Sequence, residues 1–509
     1  MKKTIASHRT YSIAGFLACL GSIVVSCQVN NGLFETVSQK ARFAPAPIIS
    51  ISSTMPWYRT VDPVTITLSA PLSGVKLRYS INDTSIDKGY SGGFSLFEGY
   101  AGATSLTIRA YAFHPDYNDS ATVEASYQIV PSGNIFNIAG TGNSGFSGDG
   151  GFAVSSQINK CEALALSPAL PGNALVYIAD TKNDRIRLIN GSTKLITTIV
   201  GPGGLVTSPA LANPTAICVN AAETVMYFAD TDPSAPTDHR IIRVTGLGSA
   251  TPVLTVIAGV AHGYTADATH AEITFAGDGG PASSASLSQV GGMCLNAAET
   301  TLYFCDTGNN RIRSITDLGT SPVISTIAGT NHSYTAGPSP VEITFAGDGG
   351  NPILASLCRP TKLCLDASGT NLYFSDTDND RIRVITALGT TPVISTIAGS
   401  TRGFSGDGGA AGSASLDRPT GLTLGPGGAS LYFADTGNNR VRHIAGLTAS
   451  SVISTVAGSS SASLFYGNNV AAANPSIAFN FPQDVLVDAS GNIYIADTGN
   501  NCVRQIFSY

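Results

Sequence analysis

Six aspartates and six arginines recur along this chain at matched places. A carboxylate beside a guanidinium makes either a structural ion pair or the beginning of an active site. The recurring core is Tyr-Phe/Ile-x-Asp-Thr, then Asn or Asp, then Arg-Ile-Arg and a β-branched residue. It sets Asp180, Asp230, Asp306, Asp376, Asp435 and Asp497 ahead of Arg187, Arg243, Arg313, Arg383, Arg442 and Arg504. A reaction needs one site, so residues present six times are expected to hold architecture. Each Asp should sit where one strand turns into the next and accept backbone N–H bonds across that turn. The two arginines should share one face of their strand and pair with Asp within or between repeats. In the sixth copy Cys502 replaces the first Arg, which should weaken the pairing there.

Other chemistry-bearing patterns are weaker. Asp376-Thr377-Asp378-Asn379-Asp380 opens like a calcium loop but lacks the central Gly and closing Glu of an EF-hand. Four copies carry Phe-x-Gly-Asp-Gly-Gly: Phe146 to Gly151, Phe275 to Gly280, Phe345 to Gly350 and Phe404 to Gly409. Tight turns at positive φ account for the glycines. The same loops are also able to turn a carboxylate or N–H groups toward a ligand.

The elements that position these residues are short strands. One copy reads as Thr361–Leu365, Asn371–Ser375, Arg381–Ile385 and Val393–Ile397. The six Asp lie 50 to 76 residues apart, which suits a four-stranded blade with variable loops. A lone outer-type strand at Ile135–Ala139 and a final third-type strand at Val503–Ile506 imply one blade built from both ends of the domain, leaving no open edge at the seam. The expected fold is all-β: a six-bladed β-propeller over 133–509, closed by its N-terminal outer strand. The repeat resembles NHL repeats across nearly all of 134–509. That resemblance implies a propeller and leaves function open, since the family includes binders of protein and RNA and its relatives include enzymes.

Some six-bladed relatives are lactonases or lyases, and strictosidine synthase shares the architecture; those with metal-dependent chemistry gather ligands around the axis. Here the inner strands are mostly Gly, Ala, Leu, Val and Cys. Glu162 and Asp484 are their only carboxylates, and none holds a His. No catalytic residue, metal or cofactor is therefore expected. Binding is expected on the face that collects the Gly-Asp-Gly-Gly loops. Two related insertions, His262 to Thr274 and His332 to Thr344, and a third at Asp232 to His239, enlarge that face. Its candidate residues are Tyr264, Phe275, Asp278, Tyr334, Phe345, Asp348 and His239.

Ahead of the repeats, 45–130 alternates apolar and polar residues between Asn, Asp, Gly and Pro breaks, the pattern of a small β-sandwich. The strands Val75–Ser80 and Ser105–Ala112 resemble those of the Ig-like domain at the C-terminus of chitobiases and hexosaminidases. The usual Asp-Gly-Ser-x-Pro turn is replaced by Asn82-Asp83-Thr84-Ser85-Ile86. Spacer and sugar binder are both open roles for it. At the N-terminus, Lys2, Lys3 and Arg9 precede an apolar run from Ile13 to Val25, which reads as a secretory signal over 1–27. Its end, Val24-Val25-Ser26-Cys27, resembles the lipobox of bacterial lipoproteins, which implies a lipid on Cys27 and a spacer at 28–44.

Only 12% of residues are charged and the net charge is −6, so no sequence-independent grip on nucleic acid is expected. Nine cysteines, less Cys19 and Cys27, leave an odd number. Cys218, Cys294 and Cys364 sit inside apolar strands as small buried hydrophobes. The expected protein is a lipid-anchored scaffold or binder at the outer membrane or surface of a bacterial envelope, with protein or envelope glycan as partner. The alternative is an envelope hydrolase or lyase of the lactonase type.

Overall fold

The computed structural model describes residues 46–51, 57–59, 65–70, 75–82, 85–86, 88–92, 94–95, 105–113, 119–130, 133–167, 174–205, 211–231, 239–249, 251–259, 276–330, 345–459, 470–474 and 477–507. They fall into two units, divided after Pro131.

Among its described residues the first unit has two sheets. One orders Ile48–Ile51, Thr65–Ser69 and Phe94–Ser95; the other orders Trp57–Arg59, Val123–Val130, Ser105–Phe113, Lys76–Ile81 and Lys88–Gly89. Alternation does the sorting: Leu77, Ile108, Ala110 and Ala112 are buried together with Leu68 and Ile49, while Lys76 and Arg78 stay exposed.

The second unit contains, among the described residues, six antiparallel sheets in a propeller-like arrangement. Each inner strand neighbours the next, in the order Cys161–Leu166, Pro214–Val219, Val290–Leu295, Pro360–Leu365, Pro419–Leu424 and Asp484–Val487, and the last lies beside the first. Second strands such as Val176–Asp180 are covered on both faces, so they are buried throughout. Phe228, Phe304, Phe374 and Phe433 fill successive sheet interfaces with no exposure, each stabilising by about 1.5–3 kcal/mol. The sixth sheet joins the N-terminal strand Asn134–Ala139 to the C-terminal strand Cys502–Ile506, with Arg504 opposite Asn137 and Ile506 opposite Ile135. It differs from the expected four strands by a fifth, Val470–Ala471, which covers the outer edge of Asn134–Ala139.

Two polar bonds stitch one sheet to the next. The threonine after each repeating Asp donates to a carbonyl at the start of the following inner strand: Thr181 to Pro214 at 2.8 Å, Thr307 to Pro360 at 2.6 Å, Thr377 to Pro419 at 2.8 Å, and Thr436 to Pro482 at 2.6 Å. Thr498 closes the ring on Cys161. The residue ending each turn lies in the left-handed region and accepts an N–H from the next sheet. Asp184, Asn310, Asp380, Asn439 and Asn501 take the amides of Asn213, Arg359, Arg418, Phe481 and Lys160 at 2.8–3.0 Å. Asn and Asp tolerate that backbone better than other side-chain-bearing residues. The second sheet departs: Thr231 bonds Asn213 of its own sheet, and Thr215 reaches Val290 of the third instead.

Replacing Thr498 by Val and Asn501 by Ala removes both stitches at the seam. We expect a loss of about 1–3 kcal/mol in urea unfolding, matching that of Thr436→Val with Asn439→Ala. A seam pair that costs nothing while the internal pair does would show that closure does not use these bonds.

Candidate functional site

The repeating Asp and Arg form a buried lattice. Arg187, Arg313, Arg383 and Arg442 have no exposed side-chain surface, so each guanidinium must be paired. Each lies between two carboxylates. Toward the same sheet stand Asp180, Asp306, Asp376 and Asp435, at 3.0–3.4 Å. On the other side stand the Gly-Asp-Gly-Gly aspartates Asp149, Asp278, Asp348 and Asp407, at 2.7–2.8 Å. Asp278 and Asp348, expected on the recognition face, are therefore committed to arginines. Asp149 and Asp407 also accept from Thr198 and Thr455 of the outer strand, and the loop backbone pairs with that strand through Gly150 and Ile196. The glycines are needed for this approach: Gly347 has φ +103°, and a Cβ there would lie 2.7 Å from the Ala355 Cα.

The repeating Asp does not draw its N–H bond from across the turn. It comes from the segment entering the inner strand, as from Asn159 to Asp180 and Cys358 to Asp376, at 2.7–2.8 Å. The turn contributes an Asn side chain instead, such as Asn379 to Asp376 at 2.9 Å. The two arginines of Arg-Ile-Arg also have different tasks. The first, as Arg185, Arg381 or Arg440, stacks on the loop phenylalanine Phe146, Phe345 or Phe404 at 3.7–3.8 Å. It also caps an Asn carbonyl of the turn. Phe345 is thus half-buried under an arginine.

The second sheet breaks the pattern. Strand pairing sets Asp230 opposite Arg240 and Phe228 opposite Ile242, so Ile242 occupies the place of the buried arginine. Arg243 falls on the other strand face, opposite Tyr227, and bonds the Leu318 carbonyl. Asp230 pairs with Arg240. Val256 stands where other outer strands have Thr, and no Gly-Asp-Gly-Gly loop precedes this sheet. In the sixth sheet Cys502 is buried and Arg504 stands 3.7 Å from Asp497, longer than the other pairs.

The loops and turns do meet on one face: Asn183 of a turn donates to Gly145, and Asn438 to Gly403. At the start of the six inner strands, Lys160, Asn213, Gln289, Arg359, Arg418 and Phe481 all adopt φ between 46° and 56°. Five are exposed and Asn213 is half-buried. His239, expected at this face, instead begins the third strand of its sheet and is 5% exposed. Tyr264, Phe275 and Tyr334, with the insertions 262–274 and 332–344, lie outside the described residues.

The axis is more polar than expected. Lys362 Nζ meets Asp484 Oδ2 at 2.9 Å, and the same oxygen accepts from the Leu164 amide. Glycines make the room: a Cβ on Gly292 would lie 2.7 Å from Lys362 Cδ, and one on Gly421 would lie 2.5 Å from Asp484 Oδ1. Lys362, a lone cation in an apolar strand, escaped the sequence reading. Glu162 is half-buried nearby, and burial pushes its carboxyl up against the pull of Lys182, Lys160 and Lys362. Cys218, Cys294 and Cys364 occur at matching places opposite Tyr227, Tyr303 and Tyr373. As residues they are half-buried. Burial pushes the Cys218 and Cys364 thiols up to about 12, which disfavours the nucleophilic thiolate.

Residues 479–506 match the NHL repeat family. Teneurin-1 of Mus musculus is 25% identical over 269 residues, which is 49% of this chain but 9% of that protein, so the chain spans only a small part of that relative. A Bacteroides thetaiotaomicron protein provisionally described as a phosphatase superposes with a TM-score of 0.51 at 13% identity, covering 90% of this chain and 97% of its own. An auxiliary nutrient binding protein from Bacteroides ovatus gives 0.50 at 11% identity, covering 92% and 98%. At these identities the likeness speaks to fold alone: all-β and propeller-like, with an NHL repeat.

Two outcomes follow from the lattice. Arg383→Met strands two carboxylates and should cost about 3–5 kcal/mol in urea unfolding, whereas Asp348→Asn should cost about 1–3 kcal/mol; equal, small losses would deny the clamp. Burial, outweighing the backbone and guanidinium bonds, pushes Asp435 and Asp497 up to about 6. A folded value above the unfolded one stabilises below pH ~4, and that stabilisation is lost as pH rises through about 6. The melting temperature should therefore rise between pH 7 and pH 5, and Asp435→Asn with Asp497→Asn should flatten the slope; an unaltered slope refutes the assignment.

Proposed function

We propose that this chain is a lipid-anchored binding protein of the bacterial cell envelope. In this reading the second unit is a closed six-bladed β-propeller, and it recognises protein or envelope glycan through the loop-bearing face. One observation carries the reading. At Lys160, Asn213, Gln289, Arg359, Arg418 and Phe481 the backbone is held alike while the side chain, exposed at all but the half-buried Asn213, changes. Positions that carry the architecture, such as Asp376 and Thr377, repeat. A fixed frame offering one varied residue per unit is how repeat proteins compose a binding surface. This reading also enlists Tyr264, Phe275 and Tyr334, which lie outside the described residues. In chain order an Ig-like sandwich follows a lipid on Cys27 and precedes this propeller in the same reading, and the lipid would place the protein at the outer membrane or cell surface. No nucleic acid is involved.

The hub groups Lys362 and Asp484 are spent on each other, which favours a binder over a catalyst. A second reading, a hydrolase or lyase of the lactonase or strictosidine-synthase-like kind, draws on Glu162. A half-buried carboxyl raised by burial suits a general acid. If that reading held, the chain would turn over a member of a lactone panel, and Glu162→Gln would abolish the activity.

Envelope extract passed over the intact chain should leave a bound component. That component should be lost when residues 264–274 and 334–344 are deleted, or when Lys160, Arg359 and Arg418 are each changed to Glu. Retention by all variants would remove the face from consideration. Labelled palmitate should enter the wild-type chain and not Cys27→Ser; equal labelling would end the anchor reading.

A further inference from the structure

We propose that the first unit binds an anionic linear polysaccharide, of the polyuronate class, on the outward face of its five-stranded sheet. The proposal does not depend on the propeller face, which belongs to the other unit. Strand pairing composes the surface: Lys76 stands opposite Phe113, and Arg78 opposite Tyr111. Farther along Ser105–Phe113, Arg109 stands opposite Glu124 and pairs with it at 2.8 Å. Lys76 and Arg78 are exposed, Tyr111 is half-buried, and Phe113 is 39% exposed. The intervening residues Leu77 and Ala112 turn to the core, so alternation commits this row to the outside.

The row has the chemistry of one kind of ligand. Two cations sit two residues apart on one strand, about 6–7 Å. Each has an aromatic ring directly across the sheet, at about 5 Å between Cβ atoms. A polyuronate offers the complement: carboxylates at a regular repeat along an extended chain, and sugar C–H faces that lie against aromatic rings. The balance of the row is positive, with Lys76, Arg78 and Arg109 against Glu124, so a charged chain is favoured over a neutral one. An anionic membrane would supply charge but no ring faces for Tyr111 and Phe113, which are set in strand register instead of projecting from loop tips.

Native electrophoresis of the full mature chain through gels containing polygalacturonate tests this. Polygalacturonate should retard the protein, and its methyl ester, with the charge removed, should not. Lys76→Gln with Arg78→Gln should weaken retardation at least tenfold, and Tyr111→Ala severalfold. Arg78→Lys should retain most of it, as should Lys88→Gln, which removes a charge from the opposite side of the sheet. An unchanged melting temperature of the double variant separates lost binding from lost folding. No retardation of the wild type, equal retardation by the methyl ester, or undiminished retardation of the double variant overturns the proposal. So does binding to phosphatidylglycerol vesicles without polygalacturonate retardation.

Discussion

A ring of sheets is held by what passes between neighbours, and here a threonine hydroxyl and an Asn or Asp side-chain oxygen do so at five of the six turns. Apolar packing between sheets is strong but permits sliding, since Phe, Ile and Ala surfaces have no preferred register along the strand. A hydroxyl aimed at one carbonyl, and an amide aimed at one side-chain oxygen, do not slide. The same two bonds recur from Thr498 to Cys161 and from Asn501 to Lys160 across more than three hundred residues of sequence. Five of the six inner-strand starts are held by that amide bond as a result, and the side chains there differ from sheet to sheet.

Within each sheet a second constraint operates. A guanidinium without exposed surface is costly alone, and in four sheets the buried arginine and the Gly-Asp-Gly-Gly loop come as a set, while the sixth buries Arg504 beside Asp497 without that loop. The second sheet shows this by losing the whole set. Ile242 replaces the arginine, Val256 replaces the outer-strand threonine, and the loop aspartate is absent. What remains is the buried Asp230, paired with Arg240 alone, and an apolar contact at which Val256 is 44% exposed. The fourfold loop motif, which could pass for a ligand cradle, is the outer half of an ion-pair clamp.

The periodic parts of the molecule were legible because periodicity is a local signal. Asp376, Arg383 and the strands around them can be read from one repeat and carried to the others, and Val503–Ile506 could be matched with Ile135–Ala139 by counting. Register was not legible where an insertion intervened. In Arg240-Ile241-Ile242-Arg243 both arginines resemble the motif, and only pairing with Asp230 shows that Arg243 is off by one. The missing loop and Val256 were the signals available. His239 read as loop because it adjoins an insertion, yet it opens a strand. Lys362 was hidden because its partner Asp484 lies in another repeat, and the glycines that admit the pair, Gly292 and Gly421, announce space without saying what fills it.

The sixth sheet has a consequence for how the molecule comes into being. Its third strand, Cys502–Ile506, comes last in order among the described strands of the unit, and it lies directly between the earliest of them and Ile493–Asp497. Five sheets can assemble as they emerge, but the circle stays open until that strand arrives, so completion waits on the most distant contact in sequence. The two ends of the unit also finish side by side, so a permuted chain beginning at another blade boundary would trace the same circle.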